Sequence, residues 1–87
     1  MSELTSMKNI GKAISEKLIA VGITTPEQLR QVGAQKAFFY LKTSFPNVCL
    51  VHLYTLQGAV DDIDFRDLSK DMKADLKAYS DSMKTSQ

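Results

Sequence analysis

Residues 7–18, Met-Lys-Asn-Ile-Gly-Lys-Ala-Ile-Ser-Glu-Lys-Leu, place an apolar residue and a glycine directly before a helical pattern. We expect Gly11 to let the backbone turn tightly and to bring the first free N–H groups of the following helix close to a ligand. The stretch therefore predicts a helix-hairpin-helix turn that can hold a phosphate, which makes nucleic acid a candidate partner. Close packing of two helices is the alternative use of such a glycine.

The pattern recurs twenty-two positions later, because Leu29-Arg30-Gln31-Val32-Gly33 matches Met7-Lys8-Asn9-Ile10-Gly11 in residue type at each place. Both copies lead into segments with apolar residues at helical spacing, so the sequence predicts an internal pseudo-repeat of two hairpins. The candidate phosphate or DNA contacts come from both copies: Lys8, Asn9, Gly11, Lys12, Arg30 and Gly33.

Length and composition predict one small domain. The chain has 87 residues, 44% of them hydrophobic, which suits a single domain over 1–87 with a core of about 4–83 and a frayed tail at 84–87. Its one cysteine excludes a disulfide within the chain. We find no signal-peptide pattern and no apolar run of ~18 residues, so we expect a cytoplasmic protein with no membrane partner.

Charge is distributed unevenly along a chain whose formal net charge is +1. Residues 1–46 contain six Lys or Arg and three Glu, for a net charge of +3, whereas residues 47–87 come to −2. The basic excess falls in the half that carries both predicted hairpins. It suits a modest surface that faces phosphates, although a solvated helix face would have a similar composition.

The first half of the chain predicts three helices. One runs from about Gly11 to Val21 and ends at Gly22 in a left-handed cap. Thr25-Pro26-Glu27-Gln28 indicates a second start, with Thr25 as N-cap, Pro26 at the first helical position and Gln28 reaching back in a capping box, and this helix ends near Val32. A third runs from Ala34 to Thr43, before a break at Phe45-Pro46-Asn47.

The second half predicts two helices joined by an acidic loop. Apolar residues cover much of the circumference between Val48 and Val60, which is typical of a buried central helix. The loop 61–65 is expected to be anchored by the Ile63 and Phe65 side chains. The last helix has Ser69 as its N-cap and an apolar stripe of Leu68, Met72, Leu76, Tyr79 and Met83. The fold class is therefore all-α, a single compact bundle of about five helices.

Catalytic and metal-binding patterns are weak. Cys49 and His52 would share a helix face, but the sequence shows no oxyanion site and no orienting group, so we interpret both as packing residues and predict no enzyme. Asp61, Asp62 and Asp64 lack the spacing of a calcium loop, and one His with one Cys does not make a closed zinc site. We predict no cofactor, no metal and no small-molecule substrate.

In the order and spacing of several stretches, the chain resembles the C-terminal domain of the TfoX family, bacterial regulators of competence for DNA transformation. The matching stretches are Asn9-Ile10-Gly11, Gly22-Ile23-Thr24 running to Leu29, Val32-Gly33-Ala34 with Ala37 and Leu41, and Cys49-Leu50 leading to Leu53-Tyr54-Thr55-Leu56-Gln57-Gly58-Ala59. The resemblance implies a helix-hairpin-helix or SAM-like helical fold. It also implies a stand-alone version, because longer members have a separate N-terminal domain.

Two functions remain open. The first is a protein-interaction module, linked to competence or transcription regulation, that binds a protein partner or a second copy of itself. The second is DNA binding without sequence specificity, through backbone N–H groups and cations at the two hairpins. We favour the first, because the basic excess is small and many DNA-binding hairpins have a glycine where Asn9 stands.

Overall fold

The computed structural model describes residues 3–85, with side chains over 4–82, and contains five α-helices, two short 3-10 helices and no strand in that range. The helices are α1 (Lys12–Ala20), α2 (Pro26–Val32), α3 (Ala34–Ser44), α4 (Leu50–Asp61) and α5 (Lys70–Thr85). The 3-10 helices are Glu3–Ser6, before α1, and Phe65–Asp67, between α4 and α5. The prediction of an all-α bundle of five helices is confirmed.

The helix ends follow from local sequence. Gly22 has φ +92° and closes α1, and the N–H of Ile23 donates to the Leu18 carbonyl at 2.9 Å, as a left-handed cap requires. Thr25 Oγ1 accepts the N–H of Gln28 at 3.2 Å, so it caps α2 as predicted. The Gln28 side chain reaches one residue further back than predicted, because its Oε1 accepts from the N–H of Thr24 at 2.7 Å.

Helix α4 is central, as predicted, and packs against α3, α5 and the second 3-10 helix. Its buried residues include Leu53, Leu56 and Ala59, which meet the apolar sides of the surrounding helices. Of the side chains that the structure describes, sixteen hydrophobic ones form one core: Leu4, Met7, Ile10, Leu18, Ile23, Leu29, Ala34, Ala37, Phe38, Leu41, Val48, Leu53, Leu56, Ala59, Leu68 and Leu76.

Helix α5 begins at its predicted cap, since Ser69 Oγ accepts the N–H of Met72 at 3.1 Å. Its stripe packs on α4 through the fully buried Leu76 and the half-buried Met72 and Tyr79. The predicted place of Met83 in this stripe falls on a side chain outside the described residues. The helix is described to Thr85, and the remainder of the predicted frayed tail lies beyond the described range.

Candidate functional site

We call the predicted hairpin turn over residues 7–11 the first corner, and the one at Gly33 the second. The first corner is hydrogen-bonded to a part of the chain that is distant in sequence. Asn9 Nδ2 donates to the carbonyl of Ile63 at 2.9 Å, and the N–H of Phe65 donates to Asn9 Oδ1 at 3.2 Å. The side-chain amide therefore pairs with the backbone as a second peptide group would, with its donor and its acceptor both used. The Asn9 side chain, a candidate DNA contact in the sequence, is instead bonded within the fold.

A glycine on α4 makes room for these hydrogen bonds. A Cβ added to Gly58 would overlap Asn9 Nδ2 and would lie 2.7 Å from the Ile63 carbonyl oxygen. Gly58 is buried, and its own carbonyl accepts the N–H of Ile63 at 2.9 Å, which ends α4. We call Asn9, Gly58, Ile63 and Phe65 the clamp. An isolated glycine in a helical pattern is the sequence signal that marks such a close approach.

The predicted anchoring of the loop 61–65 is only half right. Phe65 packs against the core, but the Ile63 side chain is 36% exposed. Backbone groups hold Ile63 in place, through the bonds to Asn9 and Gly58. The side chain is thereby left free to face solvent.

The two glycines of the predicted repeat have different conformations. Gly33 has φ +87° and ψ 156° and is the single residue between α2 and α3, where left-handed backbone favours glycine. Gly11 has φ −91° and ψ −179°, which any residue adopts. The left-handed residue of the first corner is Asn9, with φ +70°. The expectation that Gly11 makes the tight turn is therefore wrong.

The predicted basic contacts lie among carboxylates. Arg30 is exposed and lines a cavity of about 270 Å³ together with Met7, Glu27 and Asp62, so the structure does bring the two copies of the pattern side by side. Arg66 donates to Asp64, a side-chain hydrogen bond that lowers the pKa of Asp64 to about 2, and the charge of Lys8 acts in the same direction. Acidic groups thus interrupt the basic character of this face.

The remaining predicted contacts lie at helix starts. Lys12 is exposed at the first residue of α1, after Gly11, and Gly33 precedes α3. Neither glycine provides a side-chain cap. Lys36 is exposed in the first turn of α3, whereas Lys17 lies with its Nζ 5.8 Å from the centre of the Phe45 ring.

An exposed aromatic surface lies beside the second corner. Phe39 is 48% exposed, next to the fully buried Phe38. It separates two depressions, of about 450 Å³ and about 330 Å³, and contributes to the walls of both. The first is lined by Val32, Gly33, Ala34, Gln35, Lys36, Phe39, Gln57 and Tyr79, and the second by Val21, Phe39, Tyr40, Thr43 and Ser44.

We call these two depressions the Phe39 surface. Sequence reasoning missed it, although a signal was present. Phe38, Phe39 and Tyr40 are consecutive on one helix, and successive helical residues are about 100° apart, so they cannot all face the core. One aromatic ring of the three had to meet solvent or a partner.

The family of the chain follows from its sequence over nearly its whole length. The family model described as the TfoX C-terminal domain matches residues 1–79. The chain belongs to the TfoX C-terminal domain family. The predicted resemblance is therefore confirmed, and the family is one of non-catalytic domains.

Two solved structures from Listeria monocytogenes are similar to this member of the TfoX C-terminal domain family. One, an uncharacterized protein in a triclinic crystal form, is 37% identical, with a TM-score of 0.91 over 93% of this chain and 92% of that one. The other, a protein of unknown function in a tetragonal form, is 38% identical, with a TM-score of 0.89 over 92% of this chain and 98% of that one. No curated protein matches the chain.

Cys49 opens one of the stretches on which the family resemblance rests, and its predicted packing role is wrong. The residue is exposed, just before α4, with its Sγ 3.5 Å from His52 Nδ1. The N–H of Cys49 donates to the same ring nitrogen at 3.1 Å, so Nδ1 is an acceptor and the neutral ring carries its proton on Nε2. Burial lowers the pKa of His52, as do the charges of Lys17 and Lys42.

Among the described residues there is neither a cluster of metal-ligating side chains nor a helix that could span a membrane. Over that part of the chain, no group of three or more His, Cys, Asp or Glu residues is placed to hold a metal ion. None of the helices described combines the length and the apolar character that a bilayer crossing requires.

Proposed function

We propose that this member of the TfoX C-terminal domain family is a non-catalytic binding domain of the cytoplasm. It takes part in competence or transcription regulation by contacting protein through the Phe39 surface. The competence link comes from family membership. The choice of surface comes from the exposed ring of Phe39.

The observation that carries the proposal is an aromatic side chain held at the rim of two depressions by a rigid helix. Phe38 and Leu41 are fully buried beneath it, so the position of Phe39 is fixed by the core. Aromatic rings are enriched at the energetic centres of protein interfaces, because burial of a large apolar area there costs little conformational entropy. Covering the exposed half of this ring would stabilise a complex.

DNA binding remains the alternative proposal, and one observation supports it. Helices α1 and α3 both start after a glycine with no side-chain cap, which leaves backbone N–H groups for an anion. Exposed Lys8, Lys12 and Arg30 would add counterion release. Against it, Glu27 and Asp62 share a cavity with Arg30, and carboxylates repel phosphates.

The test compares two exposed apolar residues. Phe39→Ser removes the ring from the Phe39 surface, and Val51→Ser is the matched control, since Val51 is 52% exposed on α4. Each variant and the unchanged chain are immobilised and exposed to bacterial lysate and to a solution of the free chain. We expect a specific protein, or the chain itself, to be retained by the unchanged chain and by Val51→Ser, and to be lost with Phe39→Ser.

A second arm of the same experiment measures DNA. Binding of a short duplex is followed by fluorescence anisotropy at low and at moderate salt, for the unchanged chain and for a Lys8→Ala, Lys12→Ala, Arg30→Ala triple variant. Two results together would overturn the proposal in favour of DNA. Phe39→Ser would retain as much protein as the unchanged chain does, and the duplex would bind the unchanged chain more weakly at higher salt and would bind the triple variant more weakly than the unchanged chain.

A further inference from the structure

We infer that the occupant of the Phe39 surface is the acidic segment 61–64 of a second copy of this chain, in a two-fold symmetric dimer. The inference rests on the proposed protein contact through Phe39 and names the partner. It is carried by the charge complementarity of two adjoining surfaces.

The receiving depression combines aromatic and polar side chains with one cation. Phe39 and Tyr79 supply aromatic walls, and Lys36 is the one charged residue among those that line it. No Asp or Glu lines it within the part of the chain that the structure describes. An apolar side chain with a neighbouring carboxylate is therefore the ligand chemistry that it complements.

The acidic segment carries that chemistry. Asp61 and Asp62 are exposed, and the Ile63 side chain next to them is 36% exposed. The clamp fixes the backbone of Ile63 through Asn9 and Gly58, so the segment does not have to be ordered when it binds. Asp64 is neutralised by its ion pair with Arg66 at 2.9 Å, whereas the Gln57 amide that bonds to Asp61 is uncharged and leaves the negative charge of Asp61 in place.

The two surfaces adjoin on α4, an arrangement that a two-fold dimer can use. Gln57 lines the depression, and its Nε2 donates to Asp61 Oδ2 at 2.8 Å. Neighbouring complementary patches can meet their counterparts across a two-fold axis, with each acidic segment in the depression of the other copy.

The test uses charge-swapped variants in sedimentation velocity, at concentrations from ~10 µM to ~1 mM, because a small interface predicts weak association. In Lys36→Glu, each copy would meet Asp61 of the other with a like charge. In Asp61→Lys, each copy would meet Lys36 with a like charge. The second change also places a cation at the end of α4, which favours the helix, and circular dichroism checks that both variants fold.

We expect the unchanged chain to dimerise, and each variant alone to do so about tenfold more weakly or worse. An equimolar mixture of the two variants should restore dimers, because both contacts then pair opposite charges. Lys77→Glu and Asp75→Lys are matched controls, exposed on α5 and outside the residues of both surfaces, and should dimerise like the unchanged chain.

Three results would overturn the inference. They are a monomer throughout the range, a dimer that neither variant weakens, and a mixture that does not restore it. A monomer combined with Phe39-dependent retention of another protein would refute the second copy as occupant but keep the proposed function. Absence of both dimerisation and Phe39-dependent retention of protein would refute the inference and the proposed function together.

Discussion

The two corners that share a residue pattern differ in what they do. In the first, over residues 7–11, the chain turns at Asn9 and the side chain of that residue is bonded to residues 63 and 65. In the second, Arg30 and Val32 lie within α2 and the turn is confined to Gly33, which lines the Phe39 surface. The first corner holds the fold together, whereas the second borders the surface that we propose to bind.

The difference teaches that a short pattern specifies residue types but not backbone. Copies of apolar, basic, amide, β-branched and glycine residues fold as a turn in one place and as the end of a helix in the other. The second copy has Thr25 and Pro26 ahead of it, which start a helix. The first copy follows a 3-10 helix of four residues, so it has no helix to continue.

The largest expected effect comes from filling the space at Gly58. Gly58→Ala would push Asn9 and the Ile63 carbonyl out of contact, and we expect it to destabilise the chain by about 3 kcal/mol. Chemical denaturation measures the change. Alanine is otherwise the better helix former by about 1 kcal/mol, so equal or greater stability in the variant would contradict the clamp.

The next effect separates the two contributions of Asn9. Asn9→Gly loses both hydrogen bonds but keeps the left-handed conformation, and we expect a loss of about 1–2 kcal/mol. Asn9→Ala adds backbone strain at φ +70° and should lose about 1 kcal/mol more. Denaturation of both variants checks the order, and equal stability of the two would refute the strain at this position.

A pair of matched glycine variants tests the comparison of the corners itself. Gly33→Ala should cost about 1–3 kcal/mol through backbone strain alone, since a Cβ there meets no atom within 4 Å. Gly11→Ala occupies the corresponding place in the pattern and should change stability by less than about 0.5 kcal/mol, because its backbone is extended. Thermal unfolding of both variants measures the difference in stability. Similar losses would show that the two corners are equivalent, as the repeated sequence pattern predicts.

Local signals were enough to predict most of the fold, and distance limited the rest. Thr25, Gly22 and Ser69 act on residues within five positions, so their caps could be predicted from sequence, apart from the reach of Gln28 to Thr24. The bonds of Asn9 join residues 54 and 56 positions apart, and no local pattern encodes them.

The candidate site depended on the same distinction. Gly33 was placed at a corner correctly, but its neighbour Phe39 became visible as a surface only once Phe38 was placed in the core. The exposed thiol of Cys49 was missed for a related reason. Its usual preference for burial is overridden by its position before the first residue of α4.

The smallest expected effect comes from His52, near the start of α4. Burial lowers the pKa of His52 in the folded chain, so the unfolded chain takes up its proton, near the ordinary value of 6.5, before the folded chain does. The stability from this group is complete above that value and is lost as the pH falls towards the folded pKa. The melting temperature of the unchanged chain should therefore fall slightly more than that of His52→Gln between about pH 7.5 and about pH 5.5.

The contribution of His52 can be checked directly. An NMR titration should place its pKa below 6.5 in the folded chain. A value above the ordinary one, or a larger fall in melting temperature for His52→Gln, would reverse the sign that the structure gives.

The central claim is that the first corner maintains the fold and the Phe39 surface carries the binding. It is tested most directly by sedimentation velocity of Asn9→Gly and Phe39→Ser, at low temperature where circular dichroism shows both to be folded. The account predicts that Phe39→Ser stays monomeric, whereas Asn9→Gly still dimerises, only more weakly than the unchanged chain because its segment 61–64 must then be ordered on binding. Loss of association in Asn9→Gly with full association in Phe39→Ser would contradict it.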